Sequence, residues 1–188
     1  MPAKIVTRDD VIGLRRRTVK LSPHNKKWGA LFEKEKELLI RRLDGLVTDI
    51  QHIGSTAIPG ISAKPIIDMA LGLSTLSDAR KLIKPLTDLR YTWRKTAGSS
   101  RRWLFVKGPE EQRTHYLHVM RYNGDTWKRD VLFRDYLRAN PAYAERYEKL
   151  KTALARKYGD NRGMYTKSKA SFIRTTIELA RKASLIKS

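Results

Sequence analysis

His52-Ile-Gly-Ser-Thr-Ala-Ile-Pro-Gly60 and Ala63-Lys-Pro-Ile-Ile-Asp68 put a small-residue turn and a carboxylate close together in the chain. Gly54-Ser55-Thr56 ends a short apolar run. Such a turn gathers backbone N–H groups around an anion, and its two hydroxyls add donors. Asp68 lies inside a second apolar run, where an ionised carboxylate is costly unless it faces a cleft, a cation or strong donors. Lys64 and Arg113 are the cations placed to neutralise phosphate, Arg113 through a two-pronged guanidinium contact. His118 is a candidate general base or soft-metal ligand, and His52 precedes the turn. Each histidine is equally compatible with a hydrogen-bonded place in the core, and Asp68 with a contact to Lys64 or to backbone donors. A regular strand sets Tyr116 and His118 on one face and His115 on the other, which disfavours a two-histidine metal site.

The elements that must position these groups follow from periodicity. Trp28, Leu31, Phe32, Glu35, Leu38, Leu39, Leu43 and Leu46 recur near every 3.6 residues, so a helix is expected from Lys26 to Leu46 after the turn at Ser22-Pro-His-Asn25. Glu33, Glu35 and Glu37, alternating with Lys34 and Lys36, are assigned mostly to its wet faces. Val47 to Ile53 reads as a short strand. Pro65 to Leu73 reads as a strand buried on both faces. Its Ile66, Asp68 and Ala70 share one side, and Ile67, Met69 and Leu71 the other.

Ser77 opens a helix towards Leu89 that Pro85 should kink or split. Strands are expected at Tyr91 to Lys95, Arg101 to Lys107 and Thr114 to Tyr122, the last two as an antiparallel hairpin. Helices follow from Asp130 to Ala139 and from Ala142 to Tyr158, with Asn140-Pro141 as cap and first position. A third opens at Thr166 and runs from Lys167 to about Ile186. The expected organisation is a basic arm over residues 1–20 and one domain over 21–188, with helix and sheet over 21–123 and a helical part over 124–188.

Trp28 with Phe32 and Glu35, the two stretches around Gly54 and Asp68, and Arg113-Thr-His-Tyr-Leu-His-Val119 belong to a longer pattern. It continues through Phe133-Arg-Asp-Tyr-Leu-Arg138, Tyr147 to Lys151, and Tyr165 with Lys169 and Phe172. This pattern resembles the signature of the GrpB family, an uncharacterised family of the nucleotidyltransferase superfamily, over nearly the whole chain from about residue 20. The resemblance implies an α/β fold of the polymerase-β type, a mixed sheet flanked by helices with a helical C-terminal part. Nucleotidyltransferases generally hold two Mg²⁺ ions with an Asp-x-Asp or Asp-x-Glu pair and a third acid on a later strand. Asp68 matches the first acid, but Ala70 stands where the second would be, and Thr114 to Tyr122 offers no carboxylate. One acid and one imidazole make a poor Mg²⁺ site, so Mg²⁺ or Mn²⁺ at Asp68 is an expectation of the resemblance alone. Asp135 would supply a further acid only if its helix packs over the sheet.

The 188 residues, 40% hydrophobic, suffice for one folded domain. The absence of cysteine excludes disulfides and thiolate metal sites. No apolar run reaches the roughly 18 residues of a membrane span, and Met1-Pro-Ala-Lys4 leads into charged sequence, so a cytoplasmic protein is expected. The net charge of +21 predicts attraction to polyanions, whether a nucleotide or other phosphorylated small molecule, RNA or an anionic membrane surface, although a solvated basic surface would account for it equally. Lys167, Lys169 and Arg174 around a helix start form either a phosphate-binding cluster or a wet face. Arg134 and Arg138, one helical turn apart, face either the cleft or solvent.

Two functions of different class stay open. The first is an enzyme moving a nucleotidyl group from a nucleoside triphosphate to an acceptor, with Gly54-Ser55 on the triphosphate and Asp68 on a metal. The second is a non-catalytic module that binds nucleotide, RNA or another phosphorylated partner with salt-sensitive affinity. The oligomeric state is not legible.

Overall fold

Residues 11–185 are described in a computed structural model. Five strands, β1 (Asp49–Ile53), β2 (Ile67–Leu73), β3 (Tyr91–Trp93), β4 (Trp103–Lys107) and β5 (His115–Arg121), form one sheet in the order β1-β2-β5-β4-β3. β2 and β5 pair in parallel, and the other neighbours are antiparallel, including the expected β4–β5 hairpin. This is a mixed α/β fold of the nucleotidyltransferase kind.

β2 shows why the sheet holds a charge. Ile67, Met69 and Leu71 are fully buried against Trp28, Phe32 and Leu39 of α1 (Lys27–Arg42). Burying each such apolar side chain stabilises by about 1.5–3 kcal/mol, which fixes the register of the strand. The alternate residues face the other way. Ile66 packs with Tyr116 and Val106, Ala70 packs with Ile53, Met120 and Trp127, and Asp68 stands between them.

The strands are trimmed by one or two residues at their ends, and several helix boundaries differ from the sequence expectation. α1 ends at Arg42, short of Leu46, and the chain turns through Gly45 at φ 73°. The helix expected from Ser77 is instead a 3-10 segment, Leu76–Leu82, followed by α2 (Ile83–Asp88). Pro85 sits in the first turn of α2, where its missing N–H breaks no helical bond. α3 (Asp125–Ala139) begins five residues before Asp130, after Asn123 in the left-handed region at φ 55° and Gly124 as cap.

α4 (Pro141–Lys157) has Pro141 at its first position as expected, but the Asn140 side chain does not cap it and donates to the Tyr136 carbonyl at 2.8 Å. The single helix expected from Lys167 is two, α5 (Arg162–Ser168) and α6 (Ala170–Leu185), because Asn161 accepts from the Met164 N–H at 3.0 Å and opens a helix earlier.

The described part of the N-terminal segment carries no strand. It crosses the sheet end through single bridges, Leu14 to Arg113 and Ser22 to Ala63. Residues 1–10 of the expected arm lie outside the described residues. α3 packs on β1, β5 and α6, and Phe133, Leu137, Tyr147 and Ile177 form a second core there. Asp68 remains partly open between this core and the hairpin.

Candidate functional site

Gly54 follows β1 at φ 71°, a backbone state that favours glycine, and a Cβ there would stand 2.9 Å from the Asp68 carboxylate. The backbone therefore lies directly on the acid. Behind it, the 3-10 turn Ser55–Ala57 is held from several sides. The Thr56 hydroxyl donates to the Ile66 carbonyl at 3.3 Å and shares a 3.0 Å hydrogen bond with His52 Nε2. Ser55 shares a hydrogen bond with the Tyr147 hydroxyl. From α3, Arg134 donates to the His52 carbonyl and to Gln51 Oε1, both at 2.8 Å, and Arg138 donates to the Ala57 carbonyl at 2.7 Å. These two arginines therefore clamp the turn, a role their helical spacing did not reveal.

His118 Nε2 lies 3.4 Å from Asp68 Oδ1, as the shared face of two parallel neighbours requires. The other ring nitrogen, Nδ1, is buried and has no hydrogen-bond partner among the described residues. The ring thus orients towards Asp68. Burial alone would raise the Asp68 pKa. The His118 contact and the charges of Lys64 and Arg162 outweigh it and hold the carboxyl below its usual range.

Three cations share this acid. Lys64 is brought down to about 7 by burial first, then by Arg162, Lys169 and Lys151, against the pull of Asp68. Lys169 is brought to about 8 by burial and Arg162, again against Asp68. Its ammonium lies 4.3 Å from the Tyr165 ring centre, with Lys64 at 5.9 Å from the same ring. Arg162 donates to the Tyr116 hydroxyl at 2.6 Å and stacks over that ring at 4.8 Å. Arg162 went unnoticed in the sequence, where it fell in a linking segment. Asn161, a helix-capping type directly before it, was the available signal.

The remaining expected residues divide. Arg113 is buried beside the cleft, but its guanidinium donates to the Gly108 carbonyl and lies 3.6 Å from Glu110, so it also holds the hairpin loop. His52 does not line the cleft. It pairs with Met69, faces α1 and stacks on Phe32 at 4.7 Å, and burial lowers its pKa to about 4. His115 is also on the α1 side, 4.0 Å from Glu35, and burial holds it near 4. Glu35, assigned mostly to a wet face, is buried. Lys167 is exposed, and Arg174 lines the cleft.

The donor set does not suit a pair of Mg²⁺ ions. Asp135 is exposed and tied to Arg134 at 2.7 Å, so it supplies no second acid. No group of three His, Cys, Asp or Glu side chains that could hold a metal occurs among the described residues. Lys64, Arg162 and Lys169 crowd the one carboxylate with positive charge, which repels a dication.

Asp68 and His118 line two cavities. One, of about 420 Å³, reaches Gly54, Phe133 and α6, and the other, of about 340 Å³, reaches Arg16, Arg94 and Arg162. A separate cavity of about 530 Å³ at the start of α3, between Arg101 and Arg121, includes none of these groups. Among the described residues, no helix is long and apolar enough to cross a membrane.

The GrpB protein family matches residues 18–179 of the chain. The glutamate-rich protein GrpB of Alkalihalophilus pseudofirmus is 40% identical over 167 residues, covering 87% of this chain and 96% of that protein. UPF0157 protein YqkA of Bacillus subtilis is 35% identical over 167 residues, covering 89% of this chain and 48% of YqkA, so the chain spans about half of that relative. The crystal structure of conserved protein GrpB from Enterococcus faecalis matches with a TM-score of 0.79 at 32% identity, covering 88% of this chain and 99% of that one.

Proposed function

The chain belongs to the GrpB family, and from that premise we propose that it binds a nucleotide or other phosphorylated small molecule in the cleft around Asp68, without needing a metal ion. The observation that carries this is the imbalance around Asp68, where Arg162 lines a cavity with the single carboxylate and Lys64 and Lys169 add to the positive field acting on it. Such an excess of cations is costly in the folded chain unless an anion joins it. A phosphate supplies several acceptor oxygens and the missing negative charge. Asp68 and His118 keep the cluster in place, and the anion completes it. RNA is favoured by the net charge, and nothing in the cleft singles it out.

A second reading, a metal-dependent transfer of a nucleotidyl group, is favoured by one feature. A lysine near pKa 7 beside a partly open carboxylate is the kind of displaced pair that gathers at catalytic sites.

Calorimetry separates the two. ATP and inorganic pyrophosphate should bind in EDTA, and Asp68→Asn should strengthen binding roughly tenfold by removing a repelling charge. At pH values between about 7 and 8, binding should take up protons, because the anion raises the pKa of Lys64 and Lys169. The heat would then depend on the buffer. Binding that demands Mg²⁺ and vanishes in Asp68→Asn would refute the metal-free reading and establish the second.

A further inference from the structure

The Asp68–His118 pair lines two cavities of different character, one richer in apolar surface and the other in arginine. The larger is walled by Ile53, Phe133, Tyr147, Ile173 and Ile177. Of its polar groups, Tyr147 is engaged with Ser55 and Asp130 with Arg102 and Arg129, while Thr166 and Arg174 complete the lining. Most of what it offers a ligand is aliphatic and ring surface. The smaller cavity is bounded by Arg16, Arg94, Arg113 and Arg162. One oxygen of Glu110 serves three of them, at 2.6 Å from Arg16, 3.7 Å from Arg94 and 3.6 Å from Arg113. Glu110 is itself 51% exposed, so it neutralises them weakly. Guanidinium forks match phosphate oxygens, and a chain of phosphates carries more charge than one carboxylate can offer.

Each cavity falls within or near the low end of the roughly 300–1,000 Å³ typical of small-molecule sites, and a ligand spanning both would use the pair as its waist. Gly54 borders the apolar cavity, not the basic one, so the turn read from sequence as a phosphate cradle meets the other end of the ligand.

We propose that the ligand is an organic di- or triphosphate lying across Asp68 and His118, its phosphates among Arg16, Arg94 and Arg162 and its apolar or aromatic body against Phe133, Ile173 and Ile177. This rests on the reading of the cleft as a phosphate site and adds the direction and the chemical class of the ligand.

Calorimetry of the whole chain in EDTA tests it with three probes: pyrophosphate, ATP and geranyl diphosphate. At least one organic probe should bind roughly tenfold more tightly than pyrophosphate. Whether ATP or geranyl diphosphate gains more tells an aromatic body from an aliphatic one. Arg94→Gln should weaken all the probes that bind by roughly tenfold, and Arg16→Gln should do the same if the first variant fails to fold. Ile173→Ser should weaken the organic probe and leave pyrophosphate unchanged. Organic probes no tighter than pyrophosphate, or affinity unaltered in a folded Arg94→Gln, would overturn the inference. Pyrophosphate binding lost in Lys169→Gln but kept in Arg94→Gln would overturn it while sparing the cleft reading. Failure of all three probes to bind would overturn both.

Discussion

Glu35 and Asp68 are acids on opposite faces of one sheet, and their surroundings differ in arithmetic. Glu35 is 8% exposed. It accepts from the Tyr91 hydroxyl at 2.9 Å and from Lys107 Nζ at 2.7 and 2.9 Å, with neutral His115 nearby. One carboxylate meets one ammonium, and the network closes. The Asp68 side chain is 28% exposed, and its one charge stands in the field of Arg162 and of two lysines whose pKa values burial lowers to about 7 and 8. A closed network serves the fold, and an open one has room for something else. The same sheet holds both because β2 and α1 seal the first face with apolar side chains, while the helices on the second cover it only in part.

That contrast can be broken most directly at Glu35. Glu35→Ala leaves the buried Tyr91 hydroxyl and the half-buried Lys107 without their acceptor and should cost about 3 kcal/mol in urea denaturation. Asp68→Asn should cost much less, since solvent and His118 remain beside it. Equal losses would erase the distinction between the faces. Gly54→Ala should come next, at about 1–3 kcal/mol from the left-handed backbone and the 2.9 Å approach to Asp68. Part of that cost should disappear when Asp68→Ala accompanies it, and strict additivity in the double-mutant cycle would rule out the clash.

The pH dependence sharpens the comparison further. Burial first, then neighbouring cations, hold Lys64 and Lys151 near 7 and Lys169 near 8, against 10.5 for an ordinary lysine. Between those values the unfolded chain binds more protons, so stability should rise with pH by at most about 1.4 kcal/mol per unit for each lysine. Lys64→Met should flatten the slope measured by thermal unfolding, and an unchanged slope would place the charge burden elsewhere. On the closed face the sign is set by His52 and His115, lowered from 6.5 to about 4 by burial. Stability should fall as pH drops through that window. His52→Gln should remove only part of the fall, the smallest of these effects.

What the sequence made legible was what is local. Alternation along β2 separated Ile66, Asp68 and Ala70 from Ile67, Met69 and Leu71, and the structure keeps that division. The same rule put Tyr116 and His118 on one face of β5 and His115 on the other, and the structure sets His118 beside Asp68 and His115 beside Glu35. His52 stayed open between cleft and core because parity within β1 says nothing of its register, and antiparallel pairing sets Ile53, not His52, opposite Asp68. Glu35 shared the helical period of Trp28, Phe32 and Leu39, but its lysine neighbours argued for water. Tyr91 and Lys107, distant in sequence, decided the matter. Arg162 reaches the site because α5 returns over Tyr116, a contact no local pattern encodes.

Ala70 carries a consequence for redesign. It occupies the second-acid position and is fully buried with Ile53, Met120 and Trp127. An aspartate there would meet an indole and a thioether instead of water or a cation, at a cost that a folded domain cannot easily carry. A paired-acid centre built on β2 would require Trp127 to change together with Ala70.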